Sequence, residues 1–193
     1  MIKPFTSIAL LALAVLLPAC KTTPSAGSGT GTAVPDPAPE AAFDAYMATM
    51  QANDWDAAAT LMHPDALAEL HETFIALARK DGAGEVARLF FDVQSAEEVA
   101  ALTPAQGFVR LMAGLMALKP GMGQAFRDST AQVIGTVPEG DVVHVLYRLE
   151  MNTSGRPISK LAVSPFRLHD GEWRALLTGE LEGLIQALKG QDG

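Results

Sequence analysis

Apolar side chains recur with the spacing of an α-helix in the first half of the folded chain. The first helix is predicted to begin at Glu40, because aromatic and methionine residues follow at positions i, i+3, i+4 and i+7. These residues are Phe43, Tyr46, Met47 and Met50. Asn53 and Asp54 then indicate a stop and a restart. The helical segments predicted after them are 55–62, 65–80 and a further turn over 85–91.

Two capping sequences predict the last helices of this half. Ser95 and Thr103 each stand three residues before a Glu or Gln, and Pro104 occupies the first helical position after Thr103. A short helix is therefore predicted to precede a longer one, which ends at Lys119. The residues expected to face inward from the longer helix are Phe108, Leu111, Met112, Leu115 and Leu118.

After Gly123 the apolar period changes from helical to alternating, and β-branched residues replace alanine and leucine, so the sheet is predicted to begin there. The predicted strands are 132–137, 142–151 and 158–169. Asp170-Gly171 is a hairpin signal that pairs Leu168 with Trp173. A short helix over 180–189 follows. The fold class is therefore α+β, with N-terminal helices packed on a curved antiparallel sheet.

The second predicted strand has one apolar face and one polar face. Its apolar face consists of Val143, Val145, Tyr147, Leu149 and Met151. His144, Arg148 and Glu150 lie on the opposite face, which would meet solvent or a second copy of the chain. The acid and base groups of this strand are thus expected outside any interior pocket.

The first twenty residues are typical of an export signal. A basic start at Lys3 precedes an apolar run over 8–17, which is too short to cross a bilayer as a helix. The run ends in Leu-Pro-Ala-Cys, which resembles the lipobox of bacterial lipoproteins. This resemblance implies that 1–19 is removed and that Cys20 carries the lipid. An ordinary secretory signal, cleaved after Ala19, is the alternative.

The lipobox resemblance also implies a location. Several acyl chains on Cys20 exceed what stable membrane anchoring requires. In the sorting rule of enteric bacteria, an Asp after the cysteine retains a lipoprotein at the inner membrane, whereas Lys21 stands here. The expected location is therefore the outer membrane of a bacterial cell envelope, with the domain facing the periplasm.

Composition indicates how the rest of the chain divides into a linker and a domain, and it argues against a nucleic-acid partner. Residues 20–39 combine the lipidated cysteine with a Ser, Thr, Gly and Pro-rich linker, and 40–190 form a single predicted domain. The chain has 14 basic and 22 acidic residues, a net charge of −8, and loss of Lys3 with the signal lowers it to −9. Such an acidic chain argues against nucleic-acid binding.

Two stretches of the domain resemble the nuclear transport factor 2-like superfamily, whose fold is the cystatin-like cone. Residues 53–65, N-D-W-D-A-A-A-T-L-M-H-P-D, are similar to its helical corner, and Gly171-Glu172-Trp173-Arg174 is similar to its late hairpin. The resemblance implies helices that close a curved sheet into a cone with an apolar pocket, and often a dimer formed through the sheet. The helical segment 95–120 and the helix over 180–189 depart from the compact family pattern. Another fold of helices over an antiparallel sheet is the alternative.

The residues predicted to line such a pocket are aromatic, sulfur-containing or histidine side chains on inward positions. They are Tyr46, Met50, Trp55, His71, Tyr147 and Trp173. His71 could equally be an edge histidine with a local hydrogen bond. No motif pairs a nucleophile with a base, and no histidine spacing suits a metal. We therefore expect no catalytic residue, cofactor or metal.

These observations leave three functional hypotheses. The first is a lipid-anchored envelope protein with a non-catalytic domain that binds a small apolar ligand or a partner protein. The second is a pocket enzyme of the isomerase or dehydratase type, and the third is an envelope assembly or accessory factor. An inward carboxylate beside Tyr46 or Tyr147 would favour the enzyme, whereas a closed core would favour a partner protein.

Overall fold

A computed structural model describes residues 38–153 and 156–179. This part of the chain forms seven helices followed by four strands. The helices are α1 Pro39–Ala52, α2 Trp55–Leu61, α3 Pro64–Lys80, α4 Glu85–Phe91, α5 Ala96–Ala101, α6 Pro104–Leu118 and α7 Pro120–Arg127. The strands are β1 Thr130–Glu139, β2 Val142–Thr153, β3 Arg156–His169 and β4 Glu172–Ala175. They pair antiparallel in the order β1-β2-β3-β4, which confirms the α+β class.

Local capping signals place the helix starts where the sequence predicts them. The Asp54 carboxylate accepts a hydrogen bond from the Ala57 amide at 3.0 Å and caps α2. At α6 the Thr103 hydroxyl accepts from the Gln106 amide at 3.2 Å, while the Gln106 side chain accepts from the Thr103 amide at 2.9 Å. This reciprocal pair is a complete capping box.

The further helical turn predicted over 85–91 is present as the helix α4. Two other helical predictions were wrong. The segment after Pro120 continues as α7 to Arg127, so the sheet begins at Thr130 and not after Gly123. Leu118, expected to face inward, is 47% exposed. Helix α7 is not predicted by helix propensity, because it contains Gly121 and Gly123. Its stability comes instead from packing on α1.

The core lies where α1 meets the inner face of the sheet. Phe43 is fully buried, with its ring centroid 4.6 Å from that of Tyr147 and 6.4 Å from that of Phe166. On β2, Val145 and Tyr147 are buried whereas Arg148 is exposed. The predicted alternation of the second strand is therefore confirmed.

The last hairpin brings the end of the sheet back to the helices. Leu168 pairs with Trp173, as predicted, and Phe166 pairs with Ala175. The chain between α2 and α3 adds to the edge of β4, where the His63 amide donates to the Ala175 carbonyl at 2.8 Å. This contact attaches the α2–α3 corner to the sheet. The predicted helix over 180–189 lies outside the described residues.

Candidate functional site

Tyr46 and Tyr147 are the two predicted pocket residues that the fold brings together. Both lie at the interface of α1 with β2, beside the buried ring of Phe43. Burial, with a smaller contribution from Tyr147, raises the pKa of the Tyr46 hydroxyl to about 12. Tyr46 therefore remains a neutral phenol at physiological pH.

The other predicted pocket residues lie apart from this pair. Met50 is partly buried near the end of α1. Trp55 is buried at the start of α2, with its ring 6.2 Å from that of Phe126 in an edge-to-face arrangement. Trp173 is partly buried on β4, and its indole nitrogen has no hydrogen-bond partner among the described residues.

His71 joins three helices rather than lining a space beside the sheet. Its Nε2 lies 2.9 Å from the Val99 carbonyl oxygen, and its side chain is buried. The ring packs on Gly107, where a Cβ atom would come within 2.7 Å of the His71 Cδ2. This close contact holds α3 against α5 and α6.

Four of the hollows on the described part of the molecule have volumes of about 320 to 460 Å³, and none of these four is lined by any of the six predicted pocket residues. One of them, which we call the helical hollow, lies between α4 and α6 and has a volume of about 460 Å³. Leu89, Arg88, Arg110 and Gly114 are among its lining residues. Its size is within the range of small-molecule sites.

The helical hollow exists because α6 crosses close to the end of α4. A Cβ atom at Gly114 would lie 2.6 Å from the carbonyl oxygen of Phe90, so only glycine allows this approach. The Arg110 guanidinium donates to the Phe91 carbonyl at 3.0 Å. Leu89 is 51% exposed beside it. No periodic pattern predicts this site, although Gly114, inside the longer helix predicted to end at Lys119, signals a close approach.

A histidine pair forms at the α2–α3 corner. His63 is buried, and its ring lies edge-to-face on that of His169 at 5.1 Å. The His63 Nδ1 accepts from the Asp65 amide at 3.2 Å, which assigns the ring proton of the neutral form to Nε2. Burial lowers the pKa of His63, with His169 and Arg167 acting in the same direction and Asp65 opposing them.

The corner is a charged cluster rather than a site with an evident ligand set. Arg167 Nε lies 2.9 Å from Asp141 Oδ2, and an Arg167 terminal nitrogen lies 3.9 Å from Asp65 Oδ2. Within residues 38–153 and 156–179, no group of three or more His, Cys, Asp or Glu side chains is placed to hold a metal ion. His63 lies within the predicted corner over 53–65 and His169 precedes the Asp170-Gly171 turn, but no sequence pattern predicts that their rings meet.

Comparison with protein-family models, with curated proteins and with solved structures finds no match to this chain. None of the helices in the described ranges is long and apolar enough to cross a membrane.

Proposed function

We propose that this protein is a lipoprotein of a bacterial cell envelope whose domain binds a partner protein. In this proposal residues 1–19 are the signal peptide, Cys20 carries the lipid, and the linker over 21–39 holds the domain away from the outer membrane on its periplasmic side. The order of basic start, apolar run and Leu-Pro-Ala-Cys supports the anchor. The finer fold we propose is a nuclear transport factor 2-like cone.

Two observations support that finer fold. Helices precede an antiparallel meander, as the resemblance implies. The corner over 53–65 and the hairpin at Gly171, which carry the resemblance, meet at the β4 edge through the His63 and Ala175 backbones.

The observation that carries the binding proposal is the contrast between a filled interior and an open helical hollow. Phe43, Val145 and Phe166 are fully buried where the family pocket would lie. The helical hollow, in contrast, combines the exposed Leu89 with the guanidinium groups of Arg88 and Arg110. An apolar anchor flanked by arginines is typical of a protein interface.

Charge specifies the kind of partner that we expect. The chain as a whole is acidic, with a net charge of −8, whereas two arginines and one aspartate, Asp92, line the helical hollow. Opposite charge steers association and fixes its register. We therefore expect an envelope protein that presents an acidic segment with an apolar side chain for Leu89.

Site-specific photocrosslinking in intact cells tests this surface. A photoreactive residue at Leu89 in the full-length protein should give one discrete cross-linked product, and Arg110→Glu should reduce its yield about tenfold or more. Leu168, 40% exposed on β3 and outside the helical hollow, is the matched control. Equal products from the two positions, or a yield unaffected by Arg110→Glu, would contradict the proposal.

A small apolar ligand remains the second candidate, because the volume of the helical hollow suits one. Native mass spectrometry of residues 21–193 distinguishes the two. A non-covalent adduct that disappears on denaturation and in Leu89→Asp would favour the ligand. A bare protein would favour the partner.

The anchor has a separate test. We predict that Cys20→Ser abolishes lipid attachment and leaves the full-length precursor, because the peptidase of this pathway acts on a lipid-modified cysteine. The measurement is the mass of the protein extracted from membranes, with Ser25→Ala in the linker as the control. A Cys20→Ser protein that is still processed and membrane-bound would refute the anchor.

A further inference from the structure

One edge of the described sheet is open along the first half of β3. On one side β3 pairs with β2 over nearly its whole length. On the other side β4 pairs with it only from Phe166 to His169, and no other described strand pairs with it there. The stretch 157–163 of β3, which we call the open edge, is about 20 Å long.

The backbone groups of alternate residues point toward the open edge. The Leu176 amide, on the β4 side, donates to the Pro165 carbonyl at 2.8 Å. The backbone polar groups of Pro165 therefore point away from β2. Because this direction alternates along a strand, the amides and carbonyls of Ser159, Leu161 and Val163 also point away from β2.

The two prolines of β3 are consistent with this direction. Pro157 and Pro165 stand four residues before and after Leu161, so they share its orientation in the strand. Proline has no amide hydrogen, and at these positions the ladder between β2 and β3 loses no hydrogen bond. Leu161 is 58% exposed. The open edge is therefore accessible, and its amide donors lie between the two prolines.

The opposite edge of the sheet, β1, is less regular. Its register with β2 shifts between Val133 and Gly135, so Ile134 bulges out of the ladder. A bulge bends a strand and interrupts the row of groups to which another strand could pair. An added strand thus meets a regular ladder at β3 and an irregular one at β1.

Charge distinguishes the open edge from the chain as a whole, which has a net charge of −8. β3 contains Arg156, Lys160 and Arg167 and no acidic residue. Arg156 and Lys160 belong to its exposed first half. On the neighbouring strand the exposed Arg148 and Glu150 offset each other. The open edge is therefore locally basic, and opposite charge favours an acidic partner.

From these observations we infer that the open edge binds an extended acidic segment of another protein, which adds to the sheet as a further strand. Hydrogen bonds to the backbones of Ser159, Leu161 and Val163 hold the segment, and an acidic side chain lies beside Lys160. The open edge lies outside the helical hollow, so this inference does not depend on the binding site proposed there.

A second copy of this chain is a poorer occupant. A two-fold antiparallel pairing over the whole open edge would set Lys160 directly opposite Lys160 of the second copy. Like charges in directly opposite positions destabilise a strand pair. An acidic segment in the same place converts this repulsion into attraction.

Hydrogen exchange of individual amides tests whether the edge is open. In the full chain, extracted from membranes in detergent, we expect the amides of Ser159, Leu161 and Val163 to exchange about tenfold or more faster than those of Lys160 and Ala162, which face β2. Equal protection at the five positions would overturn the inference. Protection of the first three that rises with protein concentration would assign the edge to a second copy and overturn it as well.

Two peptides test the partner. The acidic probe is Thr-Val-Glu-Val-Glu-Val-Thr, and the control peptide has lysine in place of each glutamate. We expect the acidic probe at saturation to slow exchange at Ser159, Leu161 and Val163, and to bind about tenfold or more tightly than the control peptide. Absence of binding by the acidic probe, or equal binding by the two peptides, would overturn the inference.

Leu161→Pro tests whether the probe pairs with the backbone. This change removes an amide of the open edge and no hydrogen bond of the ladder between β2 and β3. Leu161→Ala, which also shortens the side chain but keeps the amide, is the matched control. We expect Leu161→Pro to bind the acidic probe about tenfold or more weakly than Leu161→Ala. Equal binding by the two variants would place the probe elsewhere and refute the strand addition.

Discussion

The two faces of the sheet are built from the same strands but meet different surroundings. On the inner face Val145 is fully buried, and Tyr147 packs under the ring of Phe43 from α1. On the outer face Leu161 and Val163 remain exposed. Both faces nevertheless carry apolar residues along β2 and β3.

This difference shows what an alternating pattern can establish. Alternation on β2 identifies its inner face, because Arg148 and Glu150 mark the polar side. On β3 the outward positions Leu161, Val163 and Pro165 are apolar as well, which is typical of a strand covered on both sides. The sheet is therefore suited to a second covering layer, whatever supplies it.

The largest expected effect is the loss of stability when a residue of the inner interface is replaced. Phe43→Ala removes a fully buried ring from the inner interface, and we expect a loss of about 3–5 kcal/mol in the free energy of unfolding. Val137→Ala, at a position 57% exposed on β1, should change it by less than about 0.5 kcal/mol. Urea unfolding followed by circular dichroism measures both. Similar losses in the two variants would mean that the inner face does not contain the core.

A smaller effect is expected at the contact between α4 and α6. Gly114→Ala places a Cβ atom 2.6 Å from a backbone oxygen of α4, so the helices must separate, at a cost of about 1–3 kcal/mol. Gly121→Ala has no atom within 4 Å of the new Cβ. It should be neutral or stabilise α7 by up to about 1 kcal/mol.

The same unfolding measurement separates these glycine variants. A Gly114→Ala protein as stable as Gly121→Ala would show that the contact between α4 and α6 is looser than described. The helical hollow would then lose its fixed geometry as well. Arg110, which bridges α6 to the end of α4, would no longer hold the position that the binding proposal requires.

Features controlled by neighbouring residues in the sequence could be predicted, and features made by distant contacts could not. The Asp54 and Thr103 caps form within one helical turn. At the last hairpin, Asp170 and Gly171 have φ values of 53° and 79°, as a two-residue turn of this type demands. Such signals are visible in the sequence because both partners are near each other along the chain.

The candidate site depends on the other kind of contact. Tyr46 and Tyr147 were both predicted to face inward, but their proximity arises from the placement of α1 on β2. Of the six predicted pocket residues, His71 and Trp55 belong to separate helix contacts. The helical hollow depends on a crossing at Gly114 that no periodic pattern specifies.

The smallest expected effect concerns His63, at the corner where the helices meet the edge of the sheet. Its pKa is lowered from 6.5 in the folded protein, mainly by burial. The unfolded chain therefore binds a proton more readily than the folded one as the pH falls below 6.5, so the folded state loses stability in that range. This loss of stability is expected at the corner that joins the start of α3 to the edge of β4.

His63→Asn isolates this contribution. Asparagine retains a side-chain acceptor for the Asp65 amide at the helix start, but it does not titrate. We expect the free energy of unfolding to fall less between pH 7.5 and pH 5.5 in His63→Asn than in the native chain. His144→Asn, on the outer side of β2 beside Glu139, is the control for removal of a histidine. If native and His63→Asn proteins lose equal stability over this interval, the buried corner is not the acid-sensitive joint between the helices and the sheet.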